Sequence, residues 1–161
     1  MNKNDRGPSP TPPGPVGYRH TLSLRVRYSE TDQMGTYYNS RVLEWFECAR
    51  TELLRSLGLP YAEMERRGVL LPLVEAHVEY LGRARYDDLL NLTVWAAPEG
   101  RARLRCAVEI MHGETGKPVA RGYTVHVYTD AEGKPIRPPS WFLQRLEEAA
   151  LSNPNPSGQT A

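Results

Sequence analysis

A single long helical stripe, set among runs that alternate like strands, constrains this chain more than any other feature. Val42, Trp45, Phe46, Ala49, Leu53, Leu54 and Leu57 recur on one helix face, while Glu44, Glu47, Arg50, Glu52 and Arg55 fill most of the other. Asn39 or Ser40 offers an N-cap, and Gly58 followed by Pro60 stops the helix. A short second helix is expected over 60–67, with Pro60 in its first turn and Gly68 at its end.

The remaining periodic segments have a repeat of two. His20–Tyr28 places Leu22, Leu24, Val26 and Tyr28 opposite Thr21, Ser23, Arg25 and Arg27. Residues 72–81 alternate through Val74, Ala76, Val78 and Tyr80. Residues 89–97 carry Leu90, Leu92, Val94 and Ala96 on one face, and 102–111 carry Leu104, Cys106, Val108 and Ile110. Residues 118–128 set Val119, Tyr123, Val125 and Val127 against Ala120, Gly122, Thr124, His126 and Tyr128. Gly113 and Gly116 mark a hairpin turn before that last run, and a final helix is expected over roughly 140–150. Strand, long helix, then a meander of strands is the order of an α+β layer fold.

At 161 residues the chain suits one domain able to bury a real core. Residues 1–18 and 151–161 are rich in Pro, Gly and polar residues and read as disordered tails, leaving a domain over 19–150. A net charge of +1 argues against a nucleic-acid binder, which carries a concentrated basic face. No run is long and apolar enough for a membrane span or a secretion signal, and the expected setting is cytoplasmic. Cys48 and Cys106 fall inside a helical and a strand pattern and read as small buried groups, not as a disulfide or metal pair. His20, His77, His112 and His126 are scattered, so no zinc site is expected.

The segment Tyr28–Asn39 joins the first strand to the long helix and contains Asp32 in a turn-forming stretch. A carboxylate there can sit beside the open N–H groups of a helix start. Those donors can polarise a carbonyl while the carboxylate attacks it or activates water. The bland reading is that Asp32 only shapes the turn and Gly35 only supplies positive φ.

The stretches Glu30–Gly35, Leu43–Glu47, Ala49–Leu54 and Tyr80–Asp88 together resemble the hotdog-fold acyl-CoA thioesterases of the 4-hydroxybenzoyl-CoA thioesterase type. The similarity covers about residues 22–138. It implies an antiparallel sheet of five to six strands wrapped around the long helix. It also implies homodimers, often paired into homotetramers, with active sites at the subunit interface. Asp32 matches the acidic residue that acts on the thioester as nucleophile or general base. Asn39, seven positions on, matches the place where a backbone N–H holds the thioester oxygen and where many relatives have Tyr or His. Glu30 stands where Asp is commoner.

By the same resemblance, Tyr37 and Tyr38 would line an acyl pocket, and Arg101 and Arg103 would meet CoA phosphates. For the tyrosines, packing against a partner is the competing reading. For the arginines it is a solvated strand face, in a chain that uses Arg far more than Lys. A thiolate leaves readily, so hydrolysis needs a carboxylate, a polarising donor and water, with no metal or organic cofactor. Two other activities suit the same fold: dehydration of a hydroxyacyl thioester, which needs a histidine that residues 28–40 lack, and non-catalytic acyl-thioester binding.

Overall fold

The computed structural model describes residues 17–152. Its strands are β1 (Tyr18–Arg25), β2 (Leu73–Tyr80), β3 (Leu89–Glu99), β4 (Arg103–His112) and β5 (Pro118–Val127). The helices are α1 (Arg41–Ser56), α2 (Tyr61–Arg66) and α3 (Ser140–Ser152). All five strands join one antiparallel sheet in the order β1-β3-β4-β5-β2.

The helical stripe and the alternating runs meet across one core. Val42, Trp45, Phe46, Ala49, Leu53 and Leu54 are at most 1% exposed, and they pack against Leu90, Leu92, Val94, Leu104, Val108 and Ile110. Each large apolar side chain buried this way contributes roughly 1.5–3 kcal/mol before entropy is counted. On β5 the face turned to the helix is the small and polar one, Ala120, Gly122, Thr124 and His126, so α1 can lie close. Gly58, at φ +72°, ends α1, and its N–H donates to Arg55 O. One long helix packed on an antiparallel sheet of five strands is the hotdog architecture that the resemblance implies.

Several details differ from expectation. The first strand stops at Arg25, because Val26 exchanges backbone hydrogen bonds with the 87–88 loop instead of continuing along β3. Tyr28 therefore leaves the inward face and sits in a 3-10 turn, 77% exposed. Cys48 is exposed beside Glu44 and Glu47, on the face of α1 away from the stripe; only Cys106 is buried. β2 keeps its alternation in sequence but not in burial, because it is an edge strand that extends beyond the cover of α1.

Tyr18 already belongs to β1, and α3 runs on to Ser152, slightly widening the expected domain. Of the tails expected over 1–18 and 151–161, residues 1–16 and 153–161 lie outside the described residues. Among the described residues, no helix is long and apolar enough to cross a membrane, and no three His, Cys, Asp or Glu side chains gather as metal ligands would.

Candidate active site

The loop between the 3-10 turn (Tyr28–Glu30) and α1 is shaped by its own short-range chemistry. Gly35, at φ +70°, closes a turn in which its N–H donates to Asp32 O at 3.0 Å. Asp32 N–H returns to Thr36 O, and Thr31 pairs with Tyr37, making a miniature hairpin. Met34 N–H donates to Asp32 Oδ1 at 2.8 Å, an Asx turn that fixes the carboxylate's orientation. Asp32 Oδ2 has no partner among the described residues.

Tyr37 ties this hairpin to the body of the fold. Its N–H donates to Ala84 O at 2.9 Å, and its buried hydroxyl donates toward Gly82 O and Val119 O. Burial, with Tyr80 nearby, pushes the Tyr37 phenol up from its ordinary range, so it remains a neutral donor. Its ring lies 5.2 Å from that of Trp45. Tyr38, by contrast, is 51% exposed, and only its main chain is engaged.

At the start of α1, Ser40 occupies the N-cap position without a side-chain cap. Arg41 N–H donates to Tyr38 O and Val42 N–H to Asn39 O. The N–H groups of Asn39 and Ser40 find no acceptor among the described residues. These are the orphan donors of a helix start, where the dipole favours negative charge.

Asp32 and Asn39 line one pocket of about 190 Å³. The loop supplies Asp32, Thr36, Tyr38 and Asn39; the end of β2 and the residues after it supply Tyr80 and Arg83. Tyr80 also donates its hydroxyl to Asn39 O at 3.0 Å, linking the sheet edge to the helix start. A carboxylate oxygen and free amides around one cavity can hold a carbonyl between a base or nucleophile and oxyanion donors.

The expected residues thus separate into two groups. Asp32, Gly35, Tyr37, Tyr38 and Asn39 come together, with Gly35 acting through the turn. Arg101 and Arg103 do not: they lie exposed at the opposite end of the sheet. Arg103 stands seven positions along β4 from Ile110, which is level with Ala120 and Tyr80, so the two ends are roughly 23 Å apart.

Sequence reasoning missed Tyr80 and Arg83 as pocket residues, although both lie within Tyr80–Asp88. A cation directly after Gly82, whose carbonyl receives Tyr37, was the available signal.

The match to a model of the thioesterase-like superfamily spans residues 26–146. A putative acyl-CoA thioesterase, YneP, of Bacillus subtilis is 32% identical over 115 residues, covering 71% of this chain and 83% of that protein. The structure superposes on Slr0204, a 1,4-dihydroxy-2-naphthoyl-CoA thioesterase from Synechocystis. The TM-score is 0.77 and the identity 25%, covering 84% of this chain and 99% of that one. It matches a DHNA-CoA thioesterase from Staphylococcus aureus with a TM-score of 0.73 and 30% identity, covering 83% and 89% of the two chains. Fold and sequence agree: the chain belongs to the thioesterase-like superfamily and is a thioester hydrolase.

Proposed function

We propose that this protein hydrolyses acyl-CoA thioesters to a free acid and CoA, with Asp32 as the reacting carboxylate and the Asn39 main-chain N–H as oxyanion donor. The observation that carries this reading is that Asp32 and Asn39 line one pocket, while Asp32 Oδ2 and the Asn39 N–H have no partner among the described residues. The thioester oxygen accepts from that N–H while Oδ2 either attacks the carbonyl carbon or takes a proton from the attacking water. In the first route the C–S bond breaks as an acyl-aspartyl anhydride forms, and water then releases the acid. In the second, hydroxide adds directly and the thiolate leaves. Both routes need the same two groups and neither needs a metal. No histidine lines the pocket, which favours hydrolysis over dehydration.

The working unit in this reading is a homodimer joined through β2. That strand pairs with β5 on one side only, and Leu73, Val74 and Tyr80 are each more than half exposed on it. An unpaired strand edge is a template for a second strand. Antiparallel pairing of two β2 edges reverses the sheet direction across the dyad. The partner's Arg103 then lies toward the sheet end where this protomer's Asp32 pocket opens, and the basic turn meets the CoA phosphates in trans. A cytoplasmic setting fits two cysteines that are both free thiols.

The deciding experiment is thiol release from a panel of aliphatic and aryl acyl-CoAs by wild type and Asp32→Asn. The substitution keeps the Oδ1 contact and removes the ionised oxygen. Turnover should fall on the order of 10²–10⁴-fold with the fold intact. Undiminished turnover in a folded variant would remove Asp32 from the reaction.

A further inference from the structure

We propose that Glu30 is the positioning residue of the hydrolytic loop: its buried carboxylate locks the loop to α1, and its own carbonyl aims the Asn39 amide into the pocket. The inference rests on the proposed roles of Asp32 and Asn39. Glu30 is only 3% exposed, and a buried carboxylate persists only where donors replace its water. Four N–H groups do so. Arg27 N–H reaches Oε2 at 2.7 Å, while Arg27 Nε and Nη2 and the Trp45 indole N–H reach Oε1 at 3.2, 3.0 and 3.1 Å. Burial pushes this carboxyl up, but the bonds from Arg27 and Trp45 together outweigh it and hold the group below the usual carboxylate range.

The main chain of the same residue acts on the site directly. Tyr38 N–H donates to Glu30 O at 2.8 Å, which fixes the peptide between residues 37 and 38. The next peptide is fixed at its carbonyl by Arg41 N–H, 3.0 Å from Tyr38 O. Its N–H end is that of Asn39, the donor left open on the pocket. Two residues after Glu30 comes Asp32. One buried side chain therefore sets both reacting groups relative to α1, through Trp45 on the helix and through Arg27 before the turn.

A neutral amide cannot take Glu30's place. Every neighbour of the carboxylate is a donor, so the N–H₂ of Gln would face donors and the lock would open at one end. Aspartate keeps the charge but is one methylene shorter, and cannot hold Arg27 N–H and the Trp45 indole together.

The test compares kcat and KM for Glu30→Gln, Glu30→Asp and Trp45→Phe with wild type and Asp32→Asn, each well below its unfolding temperature. Glu30→Gln should lose at least tenfold in kcat with KM within about twofold of wild type, because the groups misplaced act on the transition state. Trp45→Phe removes one N–H and keeps the packing; it should lose about threefold in kcat, which preserves the test if Glu30→Gln fails to fold. Independently of turnover, the backbone amide resonance of Asn39 should shift when wild type is saturated with S-acetonyl-CoA, a thioether whose ketone retains the carbonyl oxygen. In Glu30→Gln that response should be lost. Unchanged kcat and an unchanged Asn39 response in folded Glu30 and Trp45 variants would make Glu30 a structural residue only. A fully active Asp32→Asn would instead overturn the assignment of Asp32, and the Asn39 response would still judge Glu30.

Discussion

Phe46 of α1 lies against Gly122 of β5, its ring carbon 3.1 Å from where a side-chain carbon at position 122 would stand. The same added carbon would collide with the His77 carbonyl on β2. Gly122 is therefore where the central helix comes down on the sheet and where the edge strand passes closest. Both obstacles belong to packed elements, one of them backbone, so relief needs a shift of α1 or β2. Gly122→Ala should destabilise the protein by about 1–3 kcal/mol. Urea unfolding checks this, and a variant as stable as wild type would mean the contact is looser than described.

A second buried contact carries a pH dependence. His126 Nε2 faces Arg50 Nη1 at 3.1 Å and the Thr124 hydroxyl at 2.9 Å, while Nδ1 lies 3.0 Å from Leu71 O. Arginine can only donate, so Nε2 accepts and the ring proton is on Nδ1, donated to Leu71 O. Burial, and then the Arg50 charge, push this imidazole down to about 4. A depressed value means the unfolded chain binds the proton first. The stability from neutral His126 is complete above about pH 6.5 and is lost as pH falls through about 4, a difference of about 3 kcal/mol. His126→Gln should flatten the unfolding free energy over that window relative to wild type. Identical slopes would show that His126 is protonated without penalty.

Acid should also expose the Glu30 lock. Its folded value is depressed, so the stability it supplies is present above the ordinary glutamate range, about 4.3, and is lost as pH falls below it. Glu30→Gln should therefore lose less stability than wild type between pH 5 and 3. Parallel acid-unfolding curves for the two proteins would contradict the lock.

What could be read from the sequence follows the range of the forces involved. The α1 stripe and the alternation of β3 and β4 are local periodicities imposed by one core, and the structure buries those residues. The Asp32 turn was legible for the same reason: Asx and glycine chemistry act within four residues. Contacts between distant segments left no such trace. Tyr80 and Arg83 reach the pocket across more than forty residues of chain, and nothing in their local pattern marks them. The buried setting of Glu30 depends on Trp45, fifteen positions along the chain, and the local pattern does not show it. Val74 and Tyr80 belong to a clean strand pattern, yet stay exposed because burial on an edge depends on what lies beyond it.

That open edge supplies the next prediction. A charge on β2 would disfavour pairing between two copies while leaving the β5 side of the strand untouched. Val74, 54% exposed, is the position to change. In the proposed homodimer joined through β2, Val74→Lys should shift the sedimentation velocity from dimer to monomer, and turnover should fall with the dimer fraction. A monomeric variant with full activity would place the whole site within one chain.

The arginines at the far end of the sheet give the sharpest test of that arrangement. Arg101→Ala with Arg103→Ala should raise KM for CoA thioesters about tenfold and spare kcat, the signature of lost ground-state binding. Mixed with Asp32→Asn, the double variant can form a dimer in which one pocket has its own Asp32 and an intact basic turn from the other chain. If the arginines act in trans, mixing two nearly inactive proteins at low substrate should restore roughly a quarter of the wild-type sites by random pairing. If they act in cis, each pocket with Asp32 still lacks its arginines, and the mixture stays as poor as its components. The outcome is read as initial rate against time after mixing, since recovery must wait for subunits to exchange.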